Sequence, residues 1–253
     1  MVEAAQLQEG TLTKFAGVPF GPDNPFDYLE AKRIMRLALS ELRTRKDIKD
    51  ALGMDPGLPG RSAITGKDAD RVWDFLQLVA AKSAQTFTGF PHLTLGVTRD
   101  SVEAMVTIPN SVSNAFRKNL IALGASGFRD MAADVLKRMA PVMKLEPMAT
   151  PCIRGVQRRY LSQRSIPFVD AEIHFDIRTA FEGEAPIKQQ PQWLSIAYEV
   201  FTNKKSNFQI QIGMKFDYQR CAIVRTEKTL DAIAGAWIAC APVVELASKN
   251  IAD

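Results

Sequence analysis

Histidine is almost missing from this chain of 253 residues, occurring twice, and cysteine occurs only three times. Cys152, Cys221 and Cys240 lie 69 and 19 residues apart, so they form neither a CxxC redox pair nor the paired spacing of a zinc site. A nucleophilic cysteine would have only His92 or His174 as its base, and the three read as small buried side chains. Long apolar runs are missing too. The longest uncharged apolar stretch, 232–244, has 13 residues, short of the roughly 18 to 20 that cross a bilayer; it reads as a buried core helix. The opening MVEAAQLQEG has neither the basic and apolar regions of a secretory signal nor an Arg-rich transit pattern. The expectation is a cytoplasmic protein without a membrane partner.

What is present is globular composition, 46% hydrophobic and 24% charged, in a chain long enough to bury a core without disulfides. The expected organisation is a single domain, 1–253, with 1–66 read as a helical arm and loop. Asp23-Asn24-Pro25 sets a capping side chain before a proline, and a helix is expected from about Pro25 to Ala51. At 100° per residue Ile34, Leu37, Ala38 and Ile48 share its inner side, while Lys32, Arg36, Arg43 and Lys46 form an outer stripe. The Gly/Pro-rich stretch 53–66 reads as a loop. Val72, Phe75, Leu76 and Val79 then have i, i+3, i+4, i+7 spacing, which predicts a second helix over about 67–86.

From Pro91 the period drops to two. Leu93, Leu95 and Val97, then Val102, Ala104, Val106 and Ile108, alternate with polar residues and predict an antiparallel hairpin. Residues from about 113 to 144 then read as one long helix or as two short ones broken near Gly124 and Gly127. Val169 to Thr179 alternates again, with Asp170, Glu172, His174, Asp176 and Arg178 on its polar side. Trp193 to Phe201 and Phe208 to Tyr218 read as a second hairpin, before a final helix capped by Thr226 and bent at Pro242. Regular alternation belongs to antiparallel sheets with one covered and one solvated face. The expected fold class is α+β, an antiparallel sheet of about five to seven strands with helices on one face, the hairpin-plus-helix plan occurring twice.

Charge is segregated. The segment CIRGVQRRYLSQRS holds Arg154, Arg158, Arg159 and Arg164 with no acid, and 32–49 adds seven bases and two acids; together they carry +9 in a chain of net +4, leaving −5 elsewhere. Such segregation is the footprint of a phosphate-backbone binder. The first functional expectation is therefore nucleic-acid binding through Lys32, Arg36, Arg43, Lys46, Arg154, Arg158, Arg159 and Arg164, as a non-catalytic subunit of an assembly with other protein subunits. A solvated helix face plus an Arg-rich edge strand gives the same pattern without function.

The alternative expectation is phosphodiester cleavage. Same-face residues on a strand are about 7 Å apart, so Asp170, Glu172 and Asp176 form a row in which neighbours could hold Mg²⁺ or Mn²⁺, with Lys215 across the sheet. The binding reading needs no cofactor. PHLTLGV, with His92 and Thr94, resembles the H-x-T element of the two-histidine phosphoesterases, and His174, 82 residues on, stands where a second such element would supply the partner histidine. The resemblance implies a general acid and base in His92 and His174, with hydroxyls such as that of Thr94 holding the phosphate. It covers seven residues, and His174-Phe175-Asp176 puts a carboxylate where that family has Thr or Ser.

Overall fold

The computed structural model describes residues 28–53, 64–66, 71–78, 89–159, 168–182, 192–226 and 228–249. They form seven helices, α1 Tyr28–Thr44, α2 Lys46–Leu52, α3 Ser113–Leu145, α4 Thr179–Glu182, α5 Trp193–Thr202, α6 Thr229–Ala239 and α7 Ala241–Ser248. The strands are β1 Ile64–Gly66, β2 Arg71–Gln77, β3 His92–Thr98, β4 Ser101–Ile108, β5 Thr150–Arg159, β6 Phe168–Asp176 and β7 Gln209–Asp217. All seven join one sheet in the order β1-β2-β3-β4-β7-β5-β6, every neighbouring pair antiparallel. The fold is α+β, with helices packed against one face.

The β3–β4 hairpin sends Leu93, Leu95, Val97, Val102, Ala104 and Val106 into the helical layer, as alternation predicts. In α6, Trp237 is wholly buried and its indole N–H donates to the Thr94 carbonyl at 3.3 Å, fixing that helix over the sheet centre. α3 crosses α5, α6 and α7. Asn119 on it donates to the carbonyls of Leu246 and Lys249 at 2.8 and 2.7 Å, satisfying groups that the end of α7 leaves open. The buried Glu146 carboxylate accepts from the Met148 and Ile223 N–H groups, tying the end of α3 to the turn before α6.

Gly124 interrupts α3 at φ 75°, ψ 168°, a region open essentially only to glycine. A Cβ there would meet nothing within 4 Å, so the backbone alone demands the residue. Gly124→Ala is expected to cost about 1–3 kcal/mol, read as a lower urea midpoint at unchanged slope; an unaltered midpoint would show that α3 tolerates the break in another form.

Several expectations require correction. The first helix ends at Thr44 and resumes at Lys46, and Ala31, Ile34, Met35, Ala38 and Leu42 on it are fully buried. It packs on β2 and β3, so Tyr28–Leu52 is part of the core, not an arm. Within the expected loop, Ile64–Gly66 is a strand. The helix expected over 67–86 is instead strand β2 in its described part: Val72, Leu76 and Leu78 enter the core, while Phe75 is buried on the opposite face. A strand apolar on both faces carries no period of two, and its spacing imitates a helix. Conversely, Trp193 to Phe201 is helix α5, with Leu194, Ala197 and Phe201 buried on one stripe. The real second hairpin is β5–β6, and β7 returns to lie between β4 and β5. The Asp23-Asn24-Pro25 cap lies outside the described residues. Thr226 precedes α6 by three residues, its hydroxyl accepting from the Lys228 N–H at 3.2 Å.

α6 and α7 meet at a bend of 46° beside Pro242 and are mostly buried. Among the described residues no single helix is long and apolar enough to cross a membrane.

Candidate functional site

Antiparallel alternation places one set of side chains away from the helices: Arg71, Trp73 and Phe75 from β2; His92, Thr94 and Gly96 from β3; Glu103, Met105 and Thr107 from β4. β7 adds Gln211, Gly213 and Lys215, β5 adds Cys152 and Arg154, and β6 adds Glu172, His174 and Asp176. This face was expected to be solvated. At its centre it is not: His92, Thr94, Phe75, Glu103, Thr107 and Gln211 are all buried. Toward β6 it opens, and Glu172 and His174 are exposed there.

Polar groups removed from water must pair with one another, and most of those here do; among the described residues Arg71 Nε and Gln77 Oε1 are the exceptions on this face. The Thr94 and Thr107 hydroxyls lie 2.7 Å apart, and the Gln211 amide donates to Thr107 at 3.0 Å. Arg71 donates through one terminal nitrogen to Glu103 at 2.8 Å. A Cβ on Gly96 would press on Glu103 Oε2 at 3.3 Å and on that Arg71 nitrogen at 3.4 Å, so glycine leaves room for the pair. Arg154 reaches the other Glu103 oxygen at 3.9 Å and donates through Nε to Glu172 at 3.0 Å. The result is a row of alternating charge, Arg71, Glu103, Arg154, Glu172, running across the sheet.

Electrostatics follow from this burial. Desolvation pushes the Arg71 guanidinium below its ordinary value; Glu103 opposes that and Arg154 adds to it. His174, exposed on its open side, is pushed below the ordinary imidazole value by partial desolvation from its neighbours first and then by the Arg154 cation. A histidine depressed in this way favours the fold above the unfolded pKa and loses that contribution as pH falls through its folded value. Cys152, beneath the charged row, is pushed up to about 12 by burial and then by Glu103; it stays a thiol and has no nucleophilic character at neutral pH. All three cysteines are buried.

The eight residues expected to contact nucleic acid fall into separate groups. Arg36 and Lys46 are exposed and Lys32 and Arg43 half-buried on the outer side of α1 and the start of α2, and none of the four makes a hydrogen bond or ion pair among the described residues. The neighbouring Arg45 is different, held by Asp47 and by Asp231 of α6 at 2.7 and 2.6 Å. Arg154 and Arg158 lie on the far side of the sheet from α1. Arg154 is engaged as above, and Arg158 donates to Gln209 at 2.7 Å. Strand β5, which carries them, is interior, so the expected edge-strand role for its arginines does not hold. Arg159 ends β5 opposite Phe168, and Arg164 lies outside the described residues.

The cleavage residues are also dispersed. His92 on β3 and His174 on β6 are four strand spacings apart, roughly 19 Å, whereas an acid and base for one phosphodiester must each reach it within about 3 Å. His92 Nδ1 lies 3.1 Å from the Phe90 carbonyl, and its ring packs on Phe75 at 4.9 Å. Thr94 is engaged with Thr107. Of the acidic row, Glu172 is paired with Arg154, and Asp176 is gripped by Arg178 through Nε and a terminal nitrogen at 2.7–3.1 Å. Asp170 stands further along β6, and among the described residues no three His, Cys, Asp or Glu side chains gather as metal ligands. Lys215 lies opposite Glu103 and Thr150.

The sequence reading missed the Arg71–Glu103 pair, because Arg71 had been placed in a helix. Arg71 and Glu103 alternate in phase with their strands, and that phase is the signal that could have found them. The chain matches no protein-family profile, and no curated protein is significantly similar to it.

Proposed function

We propose that this protein binds nucleic acid through the outer face of α1 and the start of α2, with Lys32, Arg36, Arg43 and Lys46 contacting backbone phosphates. The observation that carries the reading is the contrast in pairing: among the described residues these four cations have no carboxylate partner, whereas Arg154 and Arg158 on the far face are already engaged. Lys32 and Arg43 are 11 residues apart on one helical stripe, about 16 Å at 1.5 Å per residue. That length covers roughly five base steps of a strand rising 3.4 Å each. An unpaired cation on a helix contacts a phosphate with little desolvation, while an arginine already sharing two carboxylates would first have to release them.

Binding is favoured over cleavage because both carboxylates flanking His174 are neutralised by arginine and the two histidines stand far apart. The test is incubation with labelled single-stranded RNA and duplex DNA, with Mn²⁺ or with EDTA, resolving bound and cleaved species. The expected result is retention without cleavage in both, weakening about a hundredfold between 50 and 200 mM salt for four phosphate contacts. Metal-dependent cleavage, or retention indifferent to salt, would contradict the proposal.

A further inference from the structure

We infer that the second face of the sheet holds a site for a small oxyanion, a carboxylate or a phosphate, at Arg154 and Lys215 beside the opening at β6, separate from the α1 surface. Three observations on the same face carry this.

The first is charge. Arg71 and Arg154 share Glu103 and Glu172, and the Asp176 carboxylate is held by Arg178, which leaves Lys215 as the cation of this face that has no ion pair among the described residues. In a partly dehydrated setting an uncompensated cation is costly, and a bound anion removes the cost.

The second is hydrogen-bonding capacity. Arg71 Nε is fully buried and makes no hydrogen bond among the described residues. Lys215, half-buried, makes no hydrogen bond or ion pair among the described residues although Glu103 is its cross-strand neighbour. What remains unspent in the charged row is donor capacity, which suits an acceptor-only ligand.

The third is access. The side-chain exposure of the row rises from 10% at Glu103 through 20% at Arg154 to 40% at Glu172. A ligand entering at β6 would therefore meet Arg154 before reaching the buried pair. The small Cys152 and Gly213 occupy the strand positions between Arg154 and Lys215 and leave that floor low.

The experiment is calorimetric titration with sodium phosphate, and separately with sodium acetate, at constant ionic strength held with chloride. Three proteins are compared: the full chain, Lys215→Met, and Arg36→Ala/Arg43→Ala/Lys46→Ala. The chain should bind at least one of the two anions with a Kd in the millimolar range, on the order expected for so few ligand atoms. Lys215→Met should weaken that binding tenfold or more with its melting temperature in ligand-free buffer unchanged, and the α1 variant should bind as the full chain does. A response to phosphate alone, or to both, distinguishes the two sources. Absence of any response overturns the inference, as does a response that survives Lys215→Met or disappears in the α1 variant. Since the α1 variant leaves this site intact, failure here and failure of nucleic-acid binding are separate results.

Discussion

Glu103→Ala should destabilise the protein by about 3–5 kcal/mol, because it strands the Arg71 guanidinium in a buried setting with no counter-charge. Glu103 is the shared acceptor: Arg71 donates to one oxygen at 2.8 Å and Arg154 approaches the other at 3.9 Å. The ion pair itself need not add net stability, since burying two charges costs about as much as their attraction returns. The double replacement Arg71→Met/Glu103→Leu is therefore expected to fall within about 1 kcal/mol of the natural chain. Urea unfolding of the three proteins reads both quantities. A small loss for Glu103→Ala would mean that water reaches Arg71 and that this face is less buried than its side-chain exposures indicate.

Gly213→Ala should be as damaging for a different reason. A Cβ at 213 would stand 2.1 Å from the Ala104 carbonyl oxygen and 2.8 Å from the Met105 Cα. Both belong to the backbone of the adjacent strand β4 and neither can swing aside, so β4 and β7 would have to part at the centre of the sheet. The expected cost is about 3 kcal/mol or more, at the upper end of what overpacking produces. Gly127→Ala is the control. Its Cβ would lie 2.7 Å from Leu123 Cδ1, the end of an exposed side chain that can move, and alanine gains about 1 kcal/mol of helix propensity there. Gly127→Ala should thus be near neutral, and equal effects at the two glycines would refute the distinction between backbone and side-chain contact.

The fold class was legible because β3, β4, β6 and β7 alternate, and alternation says which residues face the helices whatever the strand order. Beyond that, the local signal failed where burial was two-sided. Residues 71–77 carry large apolar side chains on both faces of the sheet, Val72 and Leu76 on one and Trp73 and Phe75 on the other, so their pattern lost its period, and the arginine that completes the buried pair was lost with it. At 193–201 the stretch is rich in aromatic and branched side chains, yet its burial stripe at Leu194, Ala197 and Phe201 is helical; tertiary packing overrode propensity.

The polar side of the sheet was legible as residues but not as a place. Alternation marks a position as facing away from the core, and nothing in the sequence distinguishes facing solvent from facing a second buried layer. Hence Thr94, Glu103 and Gln211 read as surface residues and are buried. Charge segregation was legible too, but clusters adjacent in composition need not be adjacent in space. The α1 stripe lies on the opposite side of the sheet from Arg154 and Arg158, and among the described residues those two have partners while the stripe does not.

The most direct test of the account is the salt dependence of nucleic-acid affinity for the natural chain, Arg36→Ala/Arg43→Ala/Lys46→Ala and Arg158→Gln/Arg159→Gln, by fluorescence anisotropy on a labelled duplex. For four contacts log K against log salt should fall with a slope of roughly −3.6, and removing three contacts should leave roughly −0.9 with much weaker binding. The β5 variant should keep the natural slope and affinity. A natural slope in the α1 variant, or its loss in the β5 variant alone, would contradict the assignment of phosphate binding to α1.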